Sequence, residues 1–157
     1  MMQYHTHLAF GAAAGAAVMT YIPQVSIEQT FLYSGGLLVG ALLPDIDHPN
    51  SKISRAVPVL GKAISSTTGH RTFFHSALFI GLLFLLYQTS IPADFITGLI
   101  TGVVSHVVGD MFTVKGVHFF YPIKKTIRSP LAFHTGGIVE QLLFIVFIGL
   151  FYSMLAV

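Results

Sequence analysis

The 157-residue chain holds only six carboxylates, yet Asp45 and Asp47 stand one residue apart beside His48, in the stretch Leu42-Leu43-Pro44-Asp45-Ile46-Asp47-His48-Pro49. Its eight histidines equal Lys and Arg combined. Mixed imidazole and carboxylate ligands suit zinc, iron or manganese, whereas magnesium prefers oxygen alone. His106 and Asp110 form an i, i+4 pair and share one face if their segment is helical. His70, Arg71 and His75 make a second group, His5 and His7 a third, and Glu140 stands apart. Taken singly, each has a plainer reading. A lone histidine at a helix end is an interfacial hydrogen-bonding residue, which is the expectation for His5, His118 and His134. A lone aspartate after a helix is a cap or a solvated charge, and His106 with Asp110 could be a hydrogen-bonded pair. The plainer readings lose ground if the fold gathers these side chains at one place.

Composition says what kind of fold that is. The chain is 54% hydrophobic and 9% charged, against about 25% charged residues in soluble domains, so it reads as a membrane protein of one domain. It contains no cysteine, which rules out disulfides and thiolate metal sites, and a net charge of +2 gives no reason to expect nucleic acid. The N-terminus has no basic region ahead of its apolar run and reads as a retained span rather than a cleaved signal. Apolar segments cover residues 8–22, 31–43, 73–87, 95–111 and 138–157. Backbone groups in lipid must bond within their own segment, so these are expected to be helices. Several fall short of the roughly 20 residues that cross a core of about 30 Å, which requires flanking polar residues at the boundary or a locally thinned bilayer. The expected fold is an all-α, polytopic bundle of about five transmembrane helices with two long loops, at 45–72 and 112–137.

Charge orients the bundle. All eight Lys and Arg residues fall in the two long loops, and the short connections carry only Glu28 and Asp94. The positive-inside rule makes the long-loop face and the N-terminus cytoplasmic, with the C-terminus outside. The pairs Gly11/Gly15, Gly36/Gly40 and Gly98/Gly102 have the spacing that lets helix backbones approach closely in lipid. On this topology His7, Asp45, Asp47, His48, His70, His75, His106, Asp110 and Glu140 all lie at the cytoplasmic ends of the helices. The residue before Pro49 is biased toward extended backbone, and in an extended segment Asp45 and Asp47 point the same way. His70 is expected just before the third helix and His75 inside it. Carboxylates packed together repel without a cation, and ionisable residues in membrane segments are functional candidates.

The stretches LLPDIDHPNS, GHRTFFHS and GVVSHVVGDMFTVKGVHFFYP together resemble the LexA-regulated, membrane-bound metal-dependent hydrolase family, the YdjM-like proteins. The resemblance runs in order over nearly the whole chain. That family is in turn distantly similar to zinc-dependent phospholipase C and the P1-type nucleases. The resemblance implies a ligand set of His7, Asp45, His70, His75, His106 and Asp110, with Asp47 and His48 as further candidates; Glu140 is a metal-ligand candidate by its place at the start of the last span. It also implies one to three divalent ions, zinc or else manganese or iron, and hydrolysis of phosphoesters. Thr72 replaces the family's glycine and Phe74 its threonine. The phospholipases place a histidine four residues before the last glutamate, where this chain has Gly136.

Asp45 or Asp47 would serve as ligand and proton acceptor. Arg71, between two ligands, would clamp a phosphate oxygen or contact a lipid headgroup. Lys124, Lys125 and Arg128 are expected to face anionic lipid. The partners expected are membrane lipids and a lipid or lipid-linked phosphoester; a homo-oligomer stays open. Two rival readings remain. A metal transporter or sensor would place its ligands near the bilayer midplane. A structural lipid-binding module would use a closed metal site.

Overall fold

Each apolar segment seen in the sequence is built around a helix. The computed structural model describes residues 2–21, 26–67 and 71–156. In chain order the helices are α1 (Tyr4–Thr20), α2 (Ile27–Leu42), α3 (Lys52–Ala56), α4 (Pro58–Thr67), α5 (Ala77–Leu83), α6 (Ala93–Met111) and α7 (Ile138–Leu155). A 3₁₀ turn, Phe84–Gln88, prolongs α5. Among the described residues there is no β-strand, only the isolated bridges Thr113–Phe133 and Val117–Ile127 within the 112–137 loop. Of the described helices only α7 is long and apolar enough by itself to cross a membrane; a shorter apolar stretch is Ala77–Gln88.

Serines mark where the helices begin. Ser26 and Gln29 form a reciprocal capping box at the start of α2, satisfying two N–H groups that a helix start leaves unbonded. Ser51 caps α3 and Ser76 caps α5 in the same way, each side chain accepting from the backbone three residues on. The 45–72 connection is therefore largely helical rather than an open loop.

The α2–α6 seam sets the position of the chemistry. A methyl group added at Gly36 would collide with the Phe95 carbonyl, and one at Gly40 with the Leu99 carbonyl. From the other side, Gly98 and Gly102 lie against the backbone of Tyr33, Leu37 and Ala41. Four glycines thus let the two backbones touch, which larger side chains would prevent. Gly11 and Gly15 on α1 meet Ala41 and the Leu37 side chain, so the first pair makes a looser contact. Beside the seam a core of Phe79, Leu83, Leu99, Val103, Val107 and Val117 joins α5, α6 and the 112–137 loop.

Two local expectations are corrected. Leu43–Asp47 is a 3₁₀ turn with Pro44 in its first positions, not an extended segment. Proline's fixed φ suits a helical first turn, and the extended backbone is delayed to His48, the residue before Pro49. Three residues per turn send Asp45 and Asp47 in different directions. His75 closes the short turn Phe73–His75 and precedes α5 rather than lying inside it, because Ser76 takes the cap.

Candidate metal centre

The close α2–α6 contact brings the C-terminal end of α6 beneath the end of α2. His106, four residues beyond Gly102, reaches the carbonyl of Ala41, one residue beyond Gly40, at 2.7 Å from its Nδ1. A carbonyl only accepts, so Nδ1 donates, and in the neutral ring Nε2 then carries the lone pair that a metal needs. That Nε2 is buried and has no hydrogen-bond partner. It lies 3.5 Å from Oδ1 of Asp45 and 4.0 Å from Oδ2 of Asp110. His75 completes the group, with Nε2 3.5 Å from Oδ2 of Asp110 and 4.0 Å from Oδ1 of Asp45. All four side chains are buried, and one ligand atom from each lies within 4.8 Å of the others.

These separations discriminate between hydrogen bonding and coordination. A charge-assisted imidazole–carboxylate hydrogen bond is about 2.7–2.9 Å long. Tetrahedral ligands with bonds of about 2.0–2.2 Å to one ion stand about 3.3–3.6 Å apart. Asp45, His75, His106 and Asp110 are spaced like a slightly expanded coordination shell. Oδ1 of Asp45 and Oδ2 of Asp110 are also buried with no hydrogen-bond partner, a costly arrangement unless a cation compensates it. Two nitrogens and two oxygens from three elements therefore fit one divalent ion of the zinc, manganese or iron class.

The surrounding groups orient the four. Oδ2 of Asp47 lies 3.5 Å from Nδ1 of His75, on the opposite side of the ring from Asp45, and accepts from the Arg71 backbone N–H at 3.0 Å. Arg71, itself buried, extends inward. One guanidinium nitrogen donates to Oδ1 of Asp110 at 2.8 Å, and the other to the Thr113 hydroxyl and the Gly116 carbonyl. Its φ is +61°, a left-handed conformation rare for a side-chain-bearing residue. Asp47 holds its N–H, and the His118 N–H holds its carbonyl. His7 on α1 stacks flat on His106, ring centres 3.6 Å apart, with Nε2 3.6 Å from Oδ1 of Asp110. Burial opposes ionisation of Asp45, but the imidazoles of His106, His7 and His75 outweigh it and hold the carboxyl below the usual carboxylate range.

The family model described as "YdjM inner membrane protein" matches residues 2–156. The chain belongs to that family. It is 41% identical over 138 residues to the uncharacterized protein YvsG of Bacillus subtilis, covering 87% of this chain and 84% of that protein. Over 100 residues it is 35% identical to the inner membrane protein YdjM of Escherichia coli. That alignment takes in 60% of this chain and 51% of YdjM, so the chain spans about half the length of that relative. YdjM of Shigella flexneri matches to the same extent. No solved structure matches.

Not every candidate ligand reaches the group. His70 lies outside the described residues. His48 ends the 3₁₀ turn, where its Nδ1 accepts from the Asn50 N–H at 3.2 Å, and it lines a pocket that Asp45 also lines. Glu140 is buried, but its two oxygens accept from the backbone N–H groups of Gln3 and Gly136. It ties the start of α7 to the start of α1 and stands apart from the four ligands. Arg71 turns its guanidinium to Asp110, one of the four clustered side chains. Sequence reasoning missed the Ala41 carbonyl, Thr113 and Gly116. The only signal for the first was its place beside the Gly40 contact; nothing in the spacing of the other two marks them.

Proposed function

We propose that this family member is a membrane-embedded, metal-dependent hydrolase whose site faces the cytoplasmic leaflet and whose substrate is a phosphoester of a lipid or lipid-linked molecule. One observation carries the metal: unpartnered buried oxygens and nitrogens of Asp45, His106 and Asp110, spaced at coordination rather than hydrogen-bond distance. A bound divalent ion supplies Lewis-acid polarisation and a lowered water pKa. The chain's own residues fix its place. Asp45, His75, His106 and Asp110 hold the ion, Ala41 and Asp47 set the two rings, and Arg71 braces Asp110. A cavity of about 480 Å³, lined in part by Asp45 and His48, gives approach from outside. The phosphoester class rests on the family resemblance.

Membrane placement follows the same reading. Helices α1, α2, α5 with its 3₁₀ extension, α6 and α7 are the five spans, alternating in direction so that every ligand sits at one end. On α7 only Glu140 is buried, which leaves an apolar surface for lipid. The short helices α1 (17 residues) and α2 (16 residues) need a thinned bilayer or a snorkelling boundary. Cysteine-accessibility labelling at Lys62 and Lys125 should place both in the cytoplasm; opposite sides would end this topology.

The second reading has one observation in its favour. Four protein ligands close a tetrahedron, as in structural zinc sites, whereas catalytic sites keep a position open. An ion there would tie α2, α5 and α6 together without chemistry. Hydrolysis of a phosphoester panel, including phospholipids and isoprenoid phosphates, separates the two. The hydrolase reading expects turnover lost to chelator and restored by one divalent metal. A metal-loaded protein inert to the whole panel would leave the structural reading standing.

A further inference from the structure

The inward course of Arg71 leaves a charge problem for any phosphoester approaching Asp45. A phosphate beside a buried carboxylate needs cationic partners, and Arg71 is buried with both terminal nitrogens turned to Asp110, Thr113 and Gly116. The cavity of about 480 Å³ next to Asp45 offers others, since Lys52, Arg55 and Lys115 line it together with His5 and His48. Asp45 is the one acid among its lining residues. Among the described residues none of the three cations pairs with a carboxylate.

These cations are placed, not merely present. Lys52 and Arg55 are three residues apart on α3 and share a face. Ser51 caps that helix, and the Ser54 hydroxyl donates to the Ile46 carbonyl at 2.9 Å. That bond ties α3 to the turn carrying Asp45, so the backbone from which both charges extend is fixed relative to the carboxylate. The Lys52 ammonium lies 5.0 Å from the centre of the Tyr4 ring, within cation–π range, which draws it toward the pocket wall. Lys115 precedes Gly116, whose carbonyl is bonded to Arg71. We infer that Lys52, Arg55 and Lys115 form a phosphate-binding subsite that seats the phosphate group of the substrate beside Asp45. Its size is that of a small-molecule pocket, enough for a phosphate and the polar part of a headgroup. The inference rests on the proposed function for its relation to a metal, but not for the anion site itself.

The test uses the full chain in detergent and in nanodiscs, with bound metal measured in parallel. One variant combines Lys52→Met, Arg55→Met and Lys115→Met; a control of equal charge change combines Lys124→Met, Lys125→Met and Arg128→Met. Binding of inorganic phosphate and glycerol 3-phosphate is followed calorimetrically, and nanodiscs with phosphatidic acid are compared with phosphatidylcholine alone. The pocket variant should bind the phosphate probes at least ~10-fold more weakly with unchanged metal content; the control should match wild type with the two soluble probes, and its loss in the phosphatidic acid arm sets the baseline that the pocket variant must exceed. Loss confined to the phosphatidic acid arm also supports the subsite and makes the ligand lipid-borne; loss in the soluble arms makes it a free phosphate compound. Equal losses in both triple variants, or none in the pocket variant, overturn the proposal. Wild-type protein that cannot be loaded with a divalent metal, yet binds phosphate through these residues, would overturn the metal centre and keep the subsite. If the triple variant does not fold, Lys115→Glu alone should weaken phosphate binding and Lys115→Arg should restore it; failure of both overturns the subsite.

Discussion

Asp110 and Glu140 are two carboxylates buried to the same degree in one bundle, and they do different work. Both oxygens of Glu140 accept backbone N–H groups, from Gln3 and Gly136. Its demand for hydrogen bonds is met by the chain itself. Asp110 has one oxygen bonded to Arg71, while the other faces the imidazoles of His75 and His106 at 3.5 and 4.0 Å without a hydrogen bond. Burial of an acid therefore does not distinguish a ligand from a structural tie. A buried oxygen left without a hydrogen bond and aimed at imidazole nitrogens does.

Three substitutions press on this contrast. The largest effect is expected at Asp110→Asn, which removes the charge of a proposed ligand. Metal affinity should fall by more than ~100-fold, beyond the 10–100-fold typical of residues that only support ligands. The protein should also lose stabilisation by metal, which amounts to about 2.7 kcal/mol at a ligand concentration 100 times its dissociation constant. Elemental analysis and thermal unfolding with and without chelator measure both. Arg71→Lys comes next. It keeps a charge near Asp110 but cannot reproduce the fork that also grips Thr113 and Gly116. Metal affinity should drop ~10-fold, in the range for supporting residues, and an unchanged affinity would return Arg71 to a role away from the ion. Glu140→Gln should leave metal content unchanged. Its amide N–H₂ would face one backbone donor, costing about 1–3 kcal/mol of stability, equally with and without metal. Metal loss in this variant would erase the distinction between the two carboxylates.

Much of the fold was legible from apolar runs and glycine spacing. Gly36, Gly40, Gly98 and Gly102 mark the α2–α6 seam because backbone contact tolerates no larger residue there. The i, i+4 pair His106 and Asp110 was readable for the same periodic reason, and the structure buries both on one face. Less regular backbone hid the rest. Pro44 and Pro49 make opposite demands within six residues, and the 3₁₀ turn that reconciles them sends Asp47 behind His75 instead of beside Asp45. The course of Arg71 depends on the 112–137 loop folding back to present Thr113 and Gly116, contacts more than forty positions away that no local pattern encodes. The backbone partners of Glu140, Gln3 and Gly136, were not legible either, because spacing shows which acids are near a helix end but not which N–H groups they will meet.

X-ray absorption spectroscopy of the purified, metal-loaded chain tests the central claim most directly. Coordination by Asp45, His75, His106 and Asp110 predicts about one tightly held ion per chain. Its first shell should contain nitrogen and oxygen at about 2.0–2.2 Å, with the outer-ring scattering of two imidazoles, and that signal should halve in His106→Ala. An ion lost on dialysis, or a shell of oxygen without imidazole scattering, would contradict the account.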